Sequence, residues 1–205
     1  MNIQSVELRA TVADRRKGPR EPVPHVAFAG RSNVGKSSLL NALFGQRLAQ
    51  VSKTPGKTRT INYYLVNGRF FLVDLPGYGY ARVAHGERVA WGEHVTSYIR
   101  DETRLQSVVA LIDPRIPTSP LDVELAGFVR AVGKRLLVVL TKADQLRRGA
   151  LATAVARITR DLALPGPPLT FSARTGVGRR ELWAAISGSL GSGADGQATK
   201  EQVNG

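Results

Sequence analysis

The sequence predicts an α/β fold: a mostly parallel six-stranded sheet with one antiparallel strand and helices on both faces. Three observations predict it. Short apolar runs bounded by turn residues alternate with longer segments of helical apolar spacing. One adjacent pair of runs, "INYYLV" and "RFFLVD", is separated by Asn67-Gly68, the favoured two-residue hairpin turn. The remaining runs recur only after a helical segment, as parallel neighbours require.

Each element follows in order. "SVELRATV" reads as a strand that caps the sheet edge, and "DRRKGPREP" as a charged, turn-rich loop. "VPHVAFAG" is a buried strand entering a glycine, and "KSSLLNALF" a helix. "VSKTPGKTRT" is a polar loop with a Pro-Gly turn, leading into the hairpin. "GERVAWGEHVTSYIRDET" reads as a helix and "SVVALID" as a strand. "SPLDVELAGFVRAVG" is a helix with Pro120 in its first turn and Gly133 at its end. "KRLLVVLT", "GALATAVARITRDLA", "PPLTFSA" and "RRELWAAISGSL" continue as strand, helix, strand and helix. "GSGADGQATKEQVNG" has nothing to bury and is expected to be disordered. The expected organisation is an N-terminal extension over residues 1–22, one domain over 23–191 and a tail over 192–205.

Composition narrows the function classes. A chain of 205 residues with 42% apolar content suits one domain with a real core. The absence of cysteine excludes disulfides and thiolate metal sites. No window reaches eighteen apolar residues and the N-terminus has no apolar signal-type core, so a cytoplasmic protein without a membrane span is expected. The net charge of +13 exceeds what a small anionic ligand needs. RNA or an anionic membrane would use it. Arg15, Arg16, Lys17 and Arg20 form one candidate RNA-contacting cluster, and Arg179 with Arg180 a second.

The chemistry sits in four short stretches, the third completed by a loop further along the chain. Gly30, Arg31, Ser32, Asn33, Val34, Gly35, Lys36 and Ser37 match G-x-x-x-x-G-K-[ST] between an apolar strand and an amphipathic helix. That context turns backbone amides and a helix N-terminus toward a phosphate chain. Lys36 is expected on the β and γ phosphates and Ser37 on Mg²⁺. Asn33 has two readings: a turn former, or an amide oxygen facing the phosphates and able to bind a cation. In "DLPG", Asp74, Leu75, Pro76 and Gly77 follow the hairpin's second strand. Asp74 is expected at the metal or its water, and the Gly77 amide at the γ-phosphate. In "TKAD", Thr141, Lys142, Ala143 and Asp144 end another strand. The two oxygens of Asp144 match guanine N1–H and N2–H₂, a donor pair that adenine lacks, while Lys142 lays its stem along the base. Thr141 stands where many GTPases have asparagine, so weaker loop bracing is expected there. Phe171, Ser172 and Ala173 complete the base pocket, with Ser172 bracing the loop and the Ala173 amide on guanine O6.

The fourth stretch is "TPGKTRT", in which Gly56, Lys57, Thr58, Arg59 and Thr60 precede the hairpin. Thr58 is the candidate mobile switch, joining Mg²⁺ only with the triphosphate; Thr54 and Thr60 are rivals. The catalytic set is therefore Lys36, Asn33, Thr58 and Gly77, with Ser37, Thr58 and Asp74 at the metal. Tyr78 follows Gly77 where some switch GTPases carry a water-orienting glutamine. Its phenol is protonated at neutral pH, so Tyr78 is not expected to act as a base.

Together, "GRSNVGKSSLLNAL", "SKTPGKTRTIN", "VDLPGYGYA" and "LTKAD" resemble the EngB-type (YihA/YsxC) bacterial GTPases, within the TrmE-Era-EngA-EngB-like superfamily. The resemblance spans roughly Val23 to Leu190. It implies a Ras-like P-loop domain, the switch threonine at Thr58, the metal serine at Ser37 and guanine recognition over Thr141 to Asp144. It also implies a monomeric, Mg²⁺-dependent GTPase of slow intrinsic turnover that converts GTP to GDP and phosphate. Its partners would be rRNA and a large ribosomal subunit precursor, and its loss would disturb cell division and septation. The resemblance places the chain in a branch with a hydrophobic or aromatic residue in place of the catalytic glutamine, and it implies a monovalent cation such as K⁺ held partly by Asn33. The alternative is a GTP-gated rRNA-binding scaffold in which hydrolysis only resets binding.

Overall fold

The computed structural model describes residues 3–49, 60–78 and 95–191. Thr54, Gly56, Lys57, Thr58 and Arg59, the first part of the helix expected over "GERVAWGEHVTSYIRDET" and the tail over 192–205 lie outside the described residues. One sheet organises what is described. Its strands are β1 (Val6–Val12), β2 (His25–Gly30), β3 (Ile61–Val66), β4 (Phe70–Asp74), β5 (Leu105–Ile112), β6 (Arg135–Leu140) and β7 (Leu169–Thr170). They lie in the order β1-β3-β4-β2-β5-β6-β7. Only β3 runs against the rest, because it pairs antiparallel with both β1 and β4 while the other pairs are parallel. The six expected strands are β2 to β7. β1 supplies the edge, pairing from Val6↔Val66 to Val12↔Ile61.

The hairpin departs from its expected form by one residue. Asn67 and Gly68 are both left-handed, with φ 51° and 64°, and Arg69 N–H donates to the Val66 carbonyl at 2.9 Å. Strand pairing resumes at Val66↔Phe70, so Arg69 belongs to the turn and β4 starts at Phe70. The Asn67 side chain has a further role. Its Oδ1 accepts from the backbone N–H of Gln4 and Ser5, at 2.8 and 3.0 Å, which ties the start of β1 to the hairpin tip.

The helices are α1 (Lys36–Phe44), α2 (residues 95–101 as described), α3 (Pro120–Ala131), α4 (Arg148–Asp161) and α5 (Arg179–Gly191). α1 and α5 pack on one face of the sheet around Phe28, Leu40, Leu72 and Ile186. α2, α3 and α4 cover the other around Tyr63, Phe71, Tyr98, Val129 and Ile158. β2 is buried along its whole length, as a central parallel strand covered on both faces must be. α3 starts where Pro120 predicts, and Ser119 and Asp122 form a reciprocal capping box around it. This two-faced burial leaves the C-terminal ends of β2, β4, β5, β6 and β7 converging on one edge, where an open parallel sheet places its ligand site.

Candidate functional site

The phosphate-loop residues run from the end of β2 into α1. Gly35 has φ 104°, a conformation closed to ordinary side chains, and it turns the chain into the helix. Asn33 is also left-handed, at φ 65°, with its side chain exposed, so the turn-former reading holds for its backbone. Lys36 reaches across to Asp74, and the ammonium and carboxylate form an ion pair. The residues expected at phosphate and metal therefore face the same space. Ser37 stands next to Lys36 in the first turn of α1. A hydroxyl and a carboxylate are hard oxygen donors of the kind Mg²⁺ accepts, with remaining positions left to phosphate and water. Among the described residues there is no cluster of three or more His, Cys, Asp or Glu suited to a metal.

The "DLPG" stretch docks directly on the phosphate loop. Leu75 N–H donates to the Phe28 carbonyl at 3.1 Å, and Leu75 and Pro76 are buried. A Cβ on Gly77 would meet Ser32 backbone at 3.2 Å, so glycine permits the approach. Tyr78 N–H donates to the Gly30 carbonyl at 3.2 Å, and Ser32 N–H donates to the Tyr78 carbonyl at 2.8 Å. The Tyr78 ring turns inward, and its hydroxyl donates to Asp122 Oδ1 at 2.8 Å. Burial, then the neighbouring Asp122 charge, pushes the phenol far above its ordinary range. The hydroxyl is thus held protonated against Asp122, in line with the expectation that Tyr78 does not act as a base.

The third group rims the base pocket. Thr141 is buried, and its hydroxyl donates to the Val34 carbonyl at 2.7 Å. The weaker bracing expected from a threonine is offset by this short bond straight into the phosphate loop. Lys142, left-handed at φ 53°, donates from Nζ to the Asn33 carbonyl at 2.7 Å and to Asp113 Oδ2 at 3.0 Å. Its stem passes Gly35, with Cε 3.5 Å from where a Cβ would sit. Asp144 Oδ1 accepts from Ser172 Oγ at 2.6 Å and Oδ2 from Arg174 Nε at 2.8 Å. These two bonds hold the carboxyl below its ordinary pKa. Ser172 also accepts from Thr175 N–H at 3.1 Å, so it braces the loop as expected. Ala143 N–H donates to the Phe171 carbonyl at 3.1 Å, joining the two loops expected to hold the base, and Ala173 is exposed. Thr60 is half-buried just before β3.

Asp113, Asp122 and Arg174 are functional neighbours that motif reading missed. Asp113 follows β5 at the same sheet edge. Burial opposes its charge, but hydrogen bonds from Arg115 and Lys142 outweigh burial and hold its carboxyl down at about 2. Its place directly after an apolar strand was the available signal. Asp122 was hidden behind an ordinary capping role.

The basic clusters are partly spoken for. Arg15 pairs with Asp101 and Arg16 with Asp14, each at 2.8 Å. Arg104 donates to the Pro19 and Glu21 carbonyls at 3.0 and 2.8 Å and clamps the N-terminal loop to the sheet. Together with Arg20 and Glu102 these arginines line an open cleft of about 390 Å³. Arg179 donates to the Leu43 carbonyl at the end of α1, at 3.1 Å, and both Arg179 and Arg180 are exposed.

A strand–loop–helix phosphate cradle, a docked aspartate–glycine loop and a guanine-matching carboxylate define a P-loop domain for guanine nucleotides. The family model for the 50S ribosome-binding GTPase matches residues 25–142. The probable GTP-binding protein EngB of Syntrophomonas wolfei is 45% identical over 188 residues, covering 91% of this chain and 97% of the relative. That of Pelotomaculum thermopropionicum is 43% identical over 197 residues, covering 92% and 100%. The chain belongs to the EngB family of GTP-binding proteins. Its fold is similar to the crystal structure of a probable GTP-binding protein engB, with a TM-score of 0.71, 22% identity and coverage of 82% and 99%. It is also similar to Era in complex with MgGDPNP and nucleotides 1506-1542 of 16S ribosomal RNA, with a TM-score of 0.66, 22% identity and coverage of 89% and 59%. No helix among the described residues is long and apolar enough to cross a membrane.

Proposed function

We propose that this protein is a cytoplasmic, Mg²⁺-dependent GTPase switch in assembly of the large ribosomal subunit, acting as a monomer on a precursor particle and its rRNA. A division and septation defect on its loss would follow from failed ribosome assembly. The observation that carries the reading is the convergence of Lys36, Asp74, Gly77 and Asp144 on one sheet edge, in a chain that matches a 50S ribosome-binding GTPase model.

The chemistry is in-line attack of water on the γ-phosphate. Positioning and charge stabilisation dominate such transfers. Lys36 neutralises charge on the β and γ oxygens. The Gly77 amide, held against Ser32, is set to meet the γ-phosphate. Ser37 and Asp74 would hold Mg²⁺, with Thr58 joining in the triphosphate state; the ion supplies further charge neutralisation at the phosphates. Asn33, exposed at the rim of the loop, carries the amide that would hold K⁺. The scheme needs no strong base; intrinsic turnover would be slow, and the precursor would complete the site.

The test is GTP turnover with and without purified large-subunit precursor, alongside precursor binding by the GDP-bound and GTP-analogue-bound protein. Stimulated turnover and GTP-selective binding are expected. GTP-selective binding without stimulation would favour the scaffold reading, and neither effect would refute both.

A further inference from the structure

The phenol of Tyr78 and the carboxylate of Asp122 are each nearly buried, on elements 44 residues apart, and they meet at 2.8 Å. Asp122 does two things at once. Its Oδ2 accepts from Ser119 N–H at 2.9 Å and closes the α3 cap, while its Oδ1 accepts from Tyr78. A cap alone does not need the second bond. On the other side, the main chain of Tyr78 is clamped to Gly30 and Ser32, and Gly77 lies against Ser32. Anchoring the ring therefore fixes the plane of the peptide that carries the Gly77–Tyr78 unit. That unit has no side-chain anchor of its own at Gly77.

We infer that Asp122 is a positioning residue for the triphosphate state: by holding the Tyr78 hydroxyl it keeps the Gly77 amide docked on the phosphate loop, where a γ-phosphate would be met. The α3 N-terminus thereby becomes part of the nucleotide-discriminating apparatus. The latch acts on affinity for the third phosphate. It leaves the base pocket untouched, since Asp144, Lys142 and Ser172 lie on other elements. It also leaves proton transfer untouched, since Tyr78 does not act as a base. This inference rests on the proposed γ-phosphate switch.

Three variants of the full chain separate latch from cap. Tyr78→Phe removes the latch bond and keeps the capping box. Ser119→Ala removes the hydroxyl that accepts from Asp122 N–H and keeps the latch. Asp122→Leu removes both roles. Calorimetric titration of each with GDP and with a non-hydrolysable GTP analogue gives the preference ratio. A hydrogen bond to a charged acceptor is strong enough for its loss to lower that ratio roughly tenfold. Tyr78→Phe should show this loss through the analogue alone, with GDP affinity and saturated turnover largely kept and KM for GTP raised. Ser119→Ala should lower the melting temperature and leave the ratio unchanged. Tyr78→Phe combined with Asp122→Leu should be no worse in ratio than Asp122→Leu alone. An unchanged ratio in Tyr78→Phe, equal loss of both nucleotides, or a raised preference for the analogue overturns the inference. Wild-type protein with no preference between the two nucleotides overturns the switch reading, and the inference with it.

Discussion

Replacing Asp144 by asparagine tests base recognition where the structure is most explicit. The carboxylate is oriented by Ser172 on one oxygen and Arg174 on the other, so its plane is set before any base arrives. Ser172 donates to Oδ1, and an asparagine that keeps this bond must place its amide nitrogen where Oδ2 stood. That nitrogen then meets Arg174 and the guanine donors, donor against donor. The loss combines a charge-assisted bond with a donor left facing donors in the complex, each worth roughly tenfold or more in affinity. GTP affinity should fall by about two to four orders of magnitude. Xanthine has a carbonyl at C2, which accepts from the new amide, so XTP should bind the variant better than GTP does. Competition titrations of GTP and XTP against both proteins decide the matter, with thermal melts as the control for folding. A variant that keeps the wild-type preference for GTP over XTP would refute the assignment, and equal weakening of both would reduce Asp144 to a loop brace.

Other expectations follow from the same geometry. Thr141→Val removes the buried hydroxyl from the Val34 carbonyl and should cost about 1–3 kcal/mol, lowering Tm by roughly 2–4 °C per kcal/mol; an unmoved melt would show the brace is not needed. His25 is wholly buried, its Nδ1 2.8 Å from the Tyr98 hydroxyl, and its pKa is lowered to about 4, by burial first, with Glu102 opposing and Arg104 assisting. The unfolded chain therefore takes up this proton near pH 6.5 while the folded one resists until about 4. The associated stability is full above pH 6.5 and is lost progressively as pH falls toward 4, which denaturant titrations should detect and His25→Asn should abolish. Hydrolysis assayed in potassium, sodium and caesium salts at one ionic strength should be fastest in potassium, and Asn33→Ala should lose that advantage; equal rates in all three would remove the cation role.

Much of this architecture was legible because the relevant signals are local. Strand–helix alternation, the place of the Asn67-Gly68 bend and the Pro120 helix start depend on neighbours within a few residues, and they appear where the pattern puts them, the turn longer by one residue. The phosphate loop and the guanine loop were legible for the same reason, since their spacing is the chemistry. What escaped was set by tertiary pairing. Arg69 joins the turn because the register of β3 against β4 resumes at Phe70. Arg179, exposed as its charge suggests, also satisfies a carbonyl at the end of α1, a contact between residues 136 apart. Asp122 and Asp113 act through partners on other elements, and no window of sequence contains both ends of either contact.

The most direct test of the proposed role is to load the full chain with a non-hydrolysable GTP analogue or with GDP, recover it from cell extract and sequence the bound RNA. The account predicts a large-subunit precursor rRNA footprint with the analogue and little with GDP. A footprint independent of nucleotide, or no ribosomal RNA in either state, would contradict it.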